Sequence, residues 1–177
     1  QEALSQYISA TLLTLKLALG GILLALFIGL IMSFMSYFKV PVLKQIANTY
    51  TALSRNTPLL IQLFFLYYGL PRIGIRLEKE TVGLIGLAFL GGGYMSEAFR
   101  GGIASVPSIQ IESGRAIGLT RFQLARFIIL PQGLANSVPA IGANVLFLLK
   151  ETSIFSAIAI IDLTNVTRDL IGMYRSE

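Results

Sequence analysis

The chain has 177 residues, of which 54% are hydrophobic and only 13% charged, with a net charge of +5 and a mean hydropathy of +0.73. Soluble domains carry about 25% charged residues, so this chain has too few charges to coat a water-facing surface. A disordered tail, a coiled coil and an ordinary cytosolic enzyme are therefore excluded, and the composition indicates a membrane protein.

The first two apolar runs predict two spanning helices, because about 20 mostly apolar residues cross a bilayer. Residues 17–38 carry no charge and form the first run. Residues 56–71 form the second, whose apolar core is short, so we expect this helix to begin before Arg55. Pro58 would then lie in its first turn or at a kink. We expect a polar loop over residues 39–55.

The third apolar run covers residues 81–96 and contains three consecutive glycines at 91–93. In a membrane, small residues let neighbouring backbones approach closely, so the glycines predict tight helix packing rather than a substrate hinge. Glu97 and Arg100 follow, three residues apart on one helical face, and are predicted to form an ion pair. An interfacial pair that caps the third helix is the interpretation we favour.

Residues 101–131 form the longest polar stretch and read as two short helices joined by a turn. Gly118 is a natural helix stop in the left-handed conformation. Thr120, followed three residues later by Gln123, predicts a capping box at the start of the second helix. Pro131 is expected to end this unit. The hairpin is too amphipathic to span, so it either docks on a partner or lies on lipid.

The fourth apolar run covers residues 132–149 and ends at Lys150 and Glu151. A weaker apolar stretch over residues 152–161 follows it, and Asp162 begins a polar tail. The predicted fold class is therefore an all-α, polytopic bundle of membrane helices with four spans in view.

At residues 112–131 the spacing resembles a signature of ATP-binding cassette (ABC) importers. Their membrane subunits carry, in a cytoplasmic loop, the pattern E-A-A, three residues, G, nine residues, I, one residue, L-P. The matching positions here are Glu112, Gly118, Ile128, Leu130 and Pro131. Ser113 and Gly114 stand where the family has two alanines. Both are small, so we expect both to keep a close-packing role.

Three further stretches resemble the polar amino acid branch of these importers. RNTPLLIQLFFLYYGLP is similar to RGTPLLVQLFF, GYMSEAFRGGI to AYxxExxRGGI, and LLKETSI to LLKDTSL. The resemblance implies a type I transmembrane domain over residues 10–177, with a cytoplasmic coupling hairpin at 105–131. The resemblance also implies a fifth spanning helix, and relative to the family we expect the chain to be C-terminally incomplete.

The resemblance also implies a function and a set of partners. It implies a multi-pass permease of the bacterial cytoplasmic (inner) membrane that imports a polar amino acid. The implied partners are ABC ATPase subunits that bind ATP and Mg, a second permease copy or paralogue, an extracytoplasmic amino-acid-binding protein and the lipid bilayer. The residues implied to couple to the ATPase are Glu112, Ser113, Gly114, Gly118, Ile128, Leu130 and Pro131.

Missing residue types limit the chemistry of this chain. It contains no His and no Cys, which removes Cys nucleophiles, disulfides, zinc fingers and His-based acid–base catalysis. No GxxxxGK[ST] phosphate loop occurs, so another chain must bind any ATP that is used. We expect no catalytic residue, metal or cofactor here. The cations lie in short segments between apolar runs, which suits orientation in a bilayer and not nucleic acid binding.

One face of the fourth run is a candidate substrate path, because a polar residue inside a membrane span is costly and is usually kept for function. Asn144 and Phe147 recur on one helical face with Ala140 and Glu151. A zwitterion needs both donors and acceptors, which the Asn144 amide supplies. Glu151 can attract the ammonium and Lys150 the carboxylate. The alternative is that Asn144 bonds to a neighbouring helix while the charges anchor the helix end.

Other functions remain open at this stage. A permease for another small solute, of the methionine or phosphonate type, is the nearest alternative. An ion-coupled carrier or channel would need intramembrane acids or interrupted helices in paired positions. An intramembrane enzyme would need convergent catalytic groups, and the lack of His, Cys and buried acid pairs argues against it.

Overall fold

The computed structural model describes residues 2–37, 40–158, 160, 167 and 171, with side chains from residue 7 onward. Every regular element in these ranges is helical. The α-helices are α1 Glu2–Tyr37, α2 Pro41–Asn56, α3 Leu59–Phe64, α4 Lys79–Ala104, α5 Ser108–Ala116, α6 Arg121–Leu124 and α7 Leu130–Glu151. Short non-α helical turns at Phe65–Gly69, Leu70–Ile73, Ala125–Ile129 and Thr152–Ile158 extend α3, α6 and α7. Phe38, Lys39 and Asp162 lie outside the described residues.

Three of the described helical segments are long and apolar enough to cross a bilayer: Tyr7–Tyr37, Lys79–Ala104 and Arg121–Ile158. They confirm the all-helical membrane bundle. The second of the four predicted spans is instead a shorter apolar helix, Leu59–Ile73. At 1.5 Å per residue it reaches only about 22 Å along a hydrocarbon core of roughly 30 Å.

The start of that second helix differs from the prediction. The polar segment expected to be a loop is itself the helix α2, and α3 begins only at Leu59. The break lies at Thr57 and Pro58, both with extended backbone, because a residue before proline is disfavoured in the α region. Gln62 stabilises the break. Its Nε2 donates to the carbonyls of Thr57 at 2.8 Å and Ser54 at 3.3 Å, two groups that lack helical partners at the end of α2.

Helix α4 is the centre of the bundle. Its most apolar stretch is 72% buried, against 33% for α1 and 22% for the segment that contains α7. α1 runs parallel to α4, since the contacts advance four residues at a time along both helices. The contacting pairs are Gly21 with Leu87, Ala25 with Gly91, and Gly29 with Met95. The opposite side of α1 exposes apolar side chains suited to lipid, among them Leu12, Leu19, Leu23 and Phe27.

The glycine triplet in α4 packs against three other helices, as the sequence predicts. Gly91 lies against Ala25 of α1 and Leu148 of α7, and Gly93 lies against Ser54 of α2. Gly92 faces the Tyr50 hydroxyl of α2, which donates to the Phe89 carbonyl oxygen at 2.8 Å. Burial raises the pKa of Tyr50, so this hydroxyl keeps its proton.

Helix α7 runs antiparallel to α4 on another of its sides. Gly102 of α4 lies against Ser137 of α7, and Gly133 of α7 lies against Ile103 of α4. A side chain on either glycine would meet backbone atoms of the other helix at less than 3.0 Å. Close approach at this point brings the coupling hairpin, which joins the two helices, to the same end of the bundle as the last turn of α4.

Candidate functional site

The hairpin has a first arm (residues 105–117) and a second arm (residues 119–131), and its tip is a tight backbone turn centred on Gly118. The Gly118 N–H donates to the Arg115 carbonyl at 2.9 Å, and the Leu119 N–H donates to the Gly114 carbonyl at 3.0 Å. Gly118 has φ of 85°, the left-handed conformation that glycine adopts without strain. This pair of bonds is the Schellman ending of a helix. The predicted helix stop at Gly118 is confirmed.

The second arm of the hairpin begins with the predicted capping box. The Gln123 N–H donates to Thr120 Oγ1 at 3.3 Å, and the Thr120 N–H donates to Gln123 Oε1 at 2.8 Å. Both residues therefore satisfy a backbone donor that the first turn of a helix leaves free. With the Gly118 turn, the box fixes the direction of both arms.

Gly114 and Ser113, the two small residues of the signature, occupy different environments. Gly114 is buried at the contact between the arms, where a Cβ would lie 2.5 Å from Leu124 Cδ2 and 2.7 Å from Ile128 Cδ1. Ser113 is exposed, so it does not pack within this chain, and its close-packing role stays a prediction. Successive helical residues point about 100° apart, and only one of the two can face the other arm. Glu112 is also exposed.

Pro131 does not end the hairpin, contrary to the prediction. The helix continues without interruption from Arg121 to Ile158, and Pro131 lies in the first turn of α7. A wider π turn at Ala125–Ile129 precedes it, in which the Leu130 N–H donates to the Ala125 carbonyl. A proline inside a regular helix clashes with the carbonyl four residues earlier. The π turn changes the backbone at that point, so the hairpin arm and the span form one element.

The apolar side chains of the hairpin are divided between the interior of the chain and its surface. Ile129 is buried, and Ile128 and Leu130 are partly buried. Phe122 is 75% exposed and Ile117, beside the Gly118 turn, is 78% exposed. The tip of the hairpin therefore presents two large apolar side chains outward, while the base of the second arm packs within the chain.

Two side-chain hydrogen bonds fasten the first arm to α7. Gln132 Nε2 donates to Gln110 Oε1 at 2.5 Å. Asn136 Nδ2 donates to Ser105 Oγ at 2.9 Å. Because the second arm is continuous with α7, both arms of the hairpin are attached to this one helix. A force on the tip would therefore pass directly into α7.

The predicted Glu97–Arg100 pair is present and includes a third residue, but it does not cap the helix, because α4 continues to Ala104. Arg100 donates from Nη2 and Nε to the two carboxylate oxygens of Glu97 at 2.6 and 3.2 Å. Arg55, at the end of α2, lies 3.7 Å from Glu97 Oε2 and places its guanidinium 5.2 Å from the centre of the Tyr94 ring. Sequence spacing could not show the Arg55 contact, because it depends on how α2 crosses α4.

The candidate substrate path lies partly against α4. Asn144 Nδ2 donates to the Tyr94 carbonyl oxygen at 3.1 Å, and the Phe147 ring centre lies 4.9 Å from that of Tyr94. Glu151 is half-buried at the last residue of α7, and Lys150 is exposed. The Asn144 bond is the interhelical contact that the structural alternative predicts. A role of these residues in transport stays a prediction.

Comparison with known proteins agrees with this architecture. Residues 21–175 match the family described as "Binding-protein-dependent transport system inner membrane component". Two similar proteins of Bacillus subtilis (strain 168) each align with 92% of the chain. "Probable amino-acid permease protein YxeN" is 37% identical over 74% of its own length. "Probable glutamine ABC transporter permease protein GlnP" is 39% identical over 75% of its length.

Solved structures show the same fold. A crystal structure of an amino acid ABC transporter with histidines matches 99% of this chain and 82% of its own, with a TM-score of 0.92 and 32% identity. An inward-facing structure of the MetNI methionine ABC transporter matches 94% of this chain and 80% of its own, with a TM-score of 0.77 and 18% identity. The second likeness concerns the fold alone.

Proposed function

The chain belongs to the family of binding-protein-dependent transport system inner membrane components, and on that premise we propose that it is the permease subunit of an ATP-driven amino acid importer. Its cargo is a polar amino acid, which it carries across a bacterial cytoplasmic membrane. The observation that carries the proposal is the likeness, over nearly the whole chain, to proteins named as amino-acid and glutamine permeases. The three apolar helices that can span a bilayer suit this role.

We propose that the coupling hairpin docks on a separate ATPase subunit that binds ATP and Mg. The exposed Ile117 and Phe122 at the tip would enter an apolar groove of the partner. Arg115, Arg121 and Arg126 would form a polar rim around it. The ATPase would move the hairpin as one body, since the Gly118 turn and the capping box hold its arms. The continuous helix from Arg121 to Ile158 would carry that movement into the membrane.

The remaining proposed partners are a second permease, as a copy or a paralogue, and an extracytoplasmic amino-acid-binding protein. The exposed surface of α7 supports the first, because only 22% of the most apolar stretch of this segment is buried within the chain. A helix that is largely uncovered can pack on lipid or on another permease. The binding protein is proposed from the family description alone.

A permease of methionine type is the second candidate. The methionine transporter shares only the fold of this chain, whereas the glutamine and amino-acid permeases share its sequence as well. We therefore keep the polar amino acid as the proposed cargo. Along its path, Asn144, Phe147, Lys150 and Glu151 stay the proposed contacts.

Cross-linking at the hairpin tip tests the proposed ATPase docking. The chain has no Cys, so Ile117→Cys places a single thiol at the tip, and Ile75→Cys places one in the loop before α4 as a matched control. We expect a short photoactivatable cross-linker on the tip thiol to capture a nucleotide-binding ATPase, and the same reagent on the control thiol to capture none. Capture of no ATPase from the tip, in a complex that transports, would refute the proposed docking.

A further inference from the structure

A large cavity lies at the hairpin end of the bundle, between α1, α2, α4 and the two arms. Its volume is about 1680 Å³, ample for an amino acid with its water shell. Among the described lining residues one is acidic, Glu97. The cationic lining residues are Lys44, Arg55, Arg100, Arg115, Arg121 and Arg126.

The charges of this cavity do not cancel. Glu97 already accepts from Arg100 and lies 3.7 Å from Arg55, so its negative charge is shared by two guanidinium groups. The other four cations have no carboxylate within 4.0 Å in the part of the chain that the structure describes. A cleft lined by one sign of charge between low-dielectric walls concentrates ions of the opposite sign.

Helix α2 separates the cavity from the apolar surface of the bundle. Lys44, Asn48, Ala52 and Arg55 line the cavity and recur on one helical face. The exposed apolar residues of α2 lie on its far side: Val42, Ile46 and Leu53. A lipid chain that packs on those residues would therefore not enter the cavity, and water and small solutes are its natural contents.

We propose that this cavity is an aqueous vestibule that attracts anionic solutes and repels cationic ones on the hairpin side of the membrane. Its consequence for transport rests on the function proposed above. A zwitterion with a neutral or acidic side chain would pass it, whereas an amino acid of net positive charge would be repelled by the excess cations of the lining. The cargo is therefore a neutral or acidic polar amino acid.

Paired thiol reagents of opposite charge measure the potential of the cavity directly. Ala52→Cys places a thiol on the cavity wall, and Ile75→Cys serves as the control outside it. In the purified complex, each variant is treated with sulfonatoethyl methanethiosulfonate, which is anionic, or with trimethylammonioethyl methanethiosulfonate, which is cationic. Labelling of this chain is read by mass. We expect the anionic-to-cationic rate ratio of the wall thiol to exceed that of the control thiol about tenfold, and the excess to shrink in about 1 M salt.

Replacing one cationic lining residue by Glu tests whether the charges of the cavity produce this potential. Lys44→Glu should lower the rate ratio of the wall thiol several-fold, whereas Arg72→Glu, the same kind of change in the control loop, should leave it unchanged. The vestibule proposal would be overturned if the anionic-to-cationic rate ratio were equal for the wall and control thiols. It would also be overturned if Lys44→Glu left the ratio of the wall thiol unchanged. These rates need no transport, so they decide the electrostatic proposal even if the complex imports no amino acid.

Uptake then decides the cargo. In proteoliposomes with the ATPase and binding protein, radiolabelled glutamine or glutamate should accumulate and lysine and arginine should not. Accumulation of arginine would overturn the charge rule while leaving the importer in place. Absence of uptake for every amino acid would instead count against the proposed function.

Discussion

Asn144 of α7 donates its Nδ2 hydrogen to the backbone carbonyl of Tyr94 at 3.1 Å, a carbonyl in the centre of α4. The bond joins the candidate path to the most buried helix. A hydrogen bond across membrane helices stabilises by about 0.6 kcal/mol on average and up to about 2 kcal/mol.

We therefore expect Asn144→Leu to lower the thermal midpoint of the complex and, because Asn144 is also a proposed cargo contact, to reduce uptake by more than the loss of folded complex. Leu23→Ala, on the lipid-facing side of α1, is the control and should leave the midpoint nearly unchanged. Differential scanning fluorimetry and uptake on one preparation make the comparison. Uptake that falls only in proportion to the folded fraction would show that Asn144 is structural and does not contact the cargo.

We predict that the turn requires glycine at position 118 because of its left-handed backbone conformation, and not because a side chain would lack room. A Cβ at Gly118 or at Gly101 meets nothing within 4 Å, but only Gly118 has positive φ. Gly118→Ala should destabilise the turn by on the order of 1–2 kcal/mol, which lowers the ratio of formed to unformed turn roughly 5- to 30-fold. Uptake should therefore fall, while insertion into the membrane stays normal. Gly101→Ala should leave uptake as it is. If Gly118→Ala and Gly101→Ala gave equal uptake, the left-handed backbone of Gly118 would not be what the turn requires.

The α1–α4 contact at Gly29 is predicted to tolerate no side chain. A Cβ there would lie 2.5 Å from Met95 Cβ and 2.8 Å from the Met95 and Ser96 backbone. Gly29→Ala should therefore destabilise the bundle by about 1–3 kcal/mol, the usual cost of overpacking. Gly101→Ala, where a Cβ meets nothing within 4 Å, is the matched control. A full yield of stable complex with the Gly29 variant would contradict the close approach.

The orientation in the membrane follows from the docking of the hairpin. If the hairpin meets a cytoplasmic ATPase, residues 39–55 lie inside and residues 72–80 outside. The cation counts of the two sides differ little, so the charge bias alone is weak. An impermeant thiol reagent added to whole cells should label Ile75→Cys and spare Ile117→Cys. Labelling of the Ile117→Cys variant alone would reverse the orientation.

Local sequence patterns predicted those parts of the structure that depend on a few adjacent residues. Gly118, the Thr120–Gln123 capping box and the Glu97–Arg100 pair are each set within one or two helical turns, and all three are confirmed. The glycine triplet was also predicted to pack closely. Its partners were not, because they come from three different helices.

The remaining features depend on geometry that no short pattern contains. Residues 39–55 are predicted as a loop because they contain no long apolar run, whereas α2 is an amphipathic helix with a polar face on the cavity and exposed apolar residues on the other side. The sequence predicts a helix end at Pro131, but the chain forms a π turn at Ala125–Ile129 and continues as α7. Arg55 reaches Glu97 only because the chain breaks at Pro58 and lets α2 cross α4. The cavity charges likewise come from segments far apart in sequence.

The most direct test of the central claim is ATP-driven uptake by the reconstituted complex. Permease, ATPase and binding protein are placed in proteoliposomes without an ion gradient, and radiolabelled glutamine accumulation is measured with ATP or with a non-hydrolysable analogue at the ATPase. The account predicts accumulation with ATP and none with the analogue. Accumulation that proceeds without ATP hydrolysis, or that requires only an ion gradient, would contradict it.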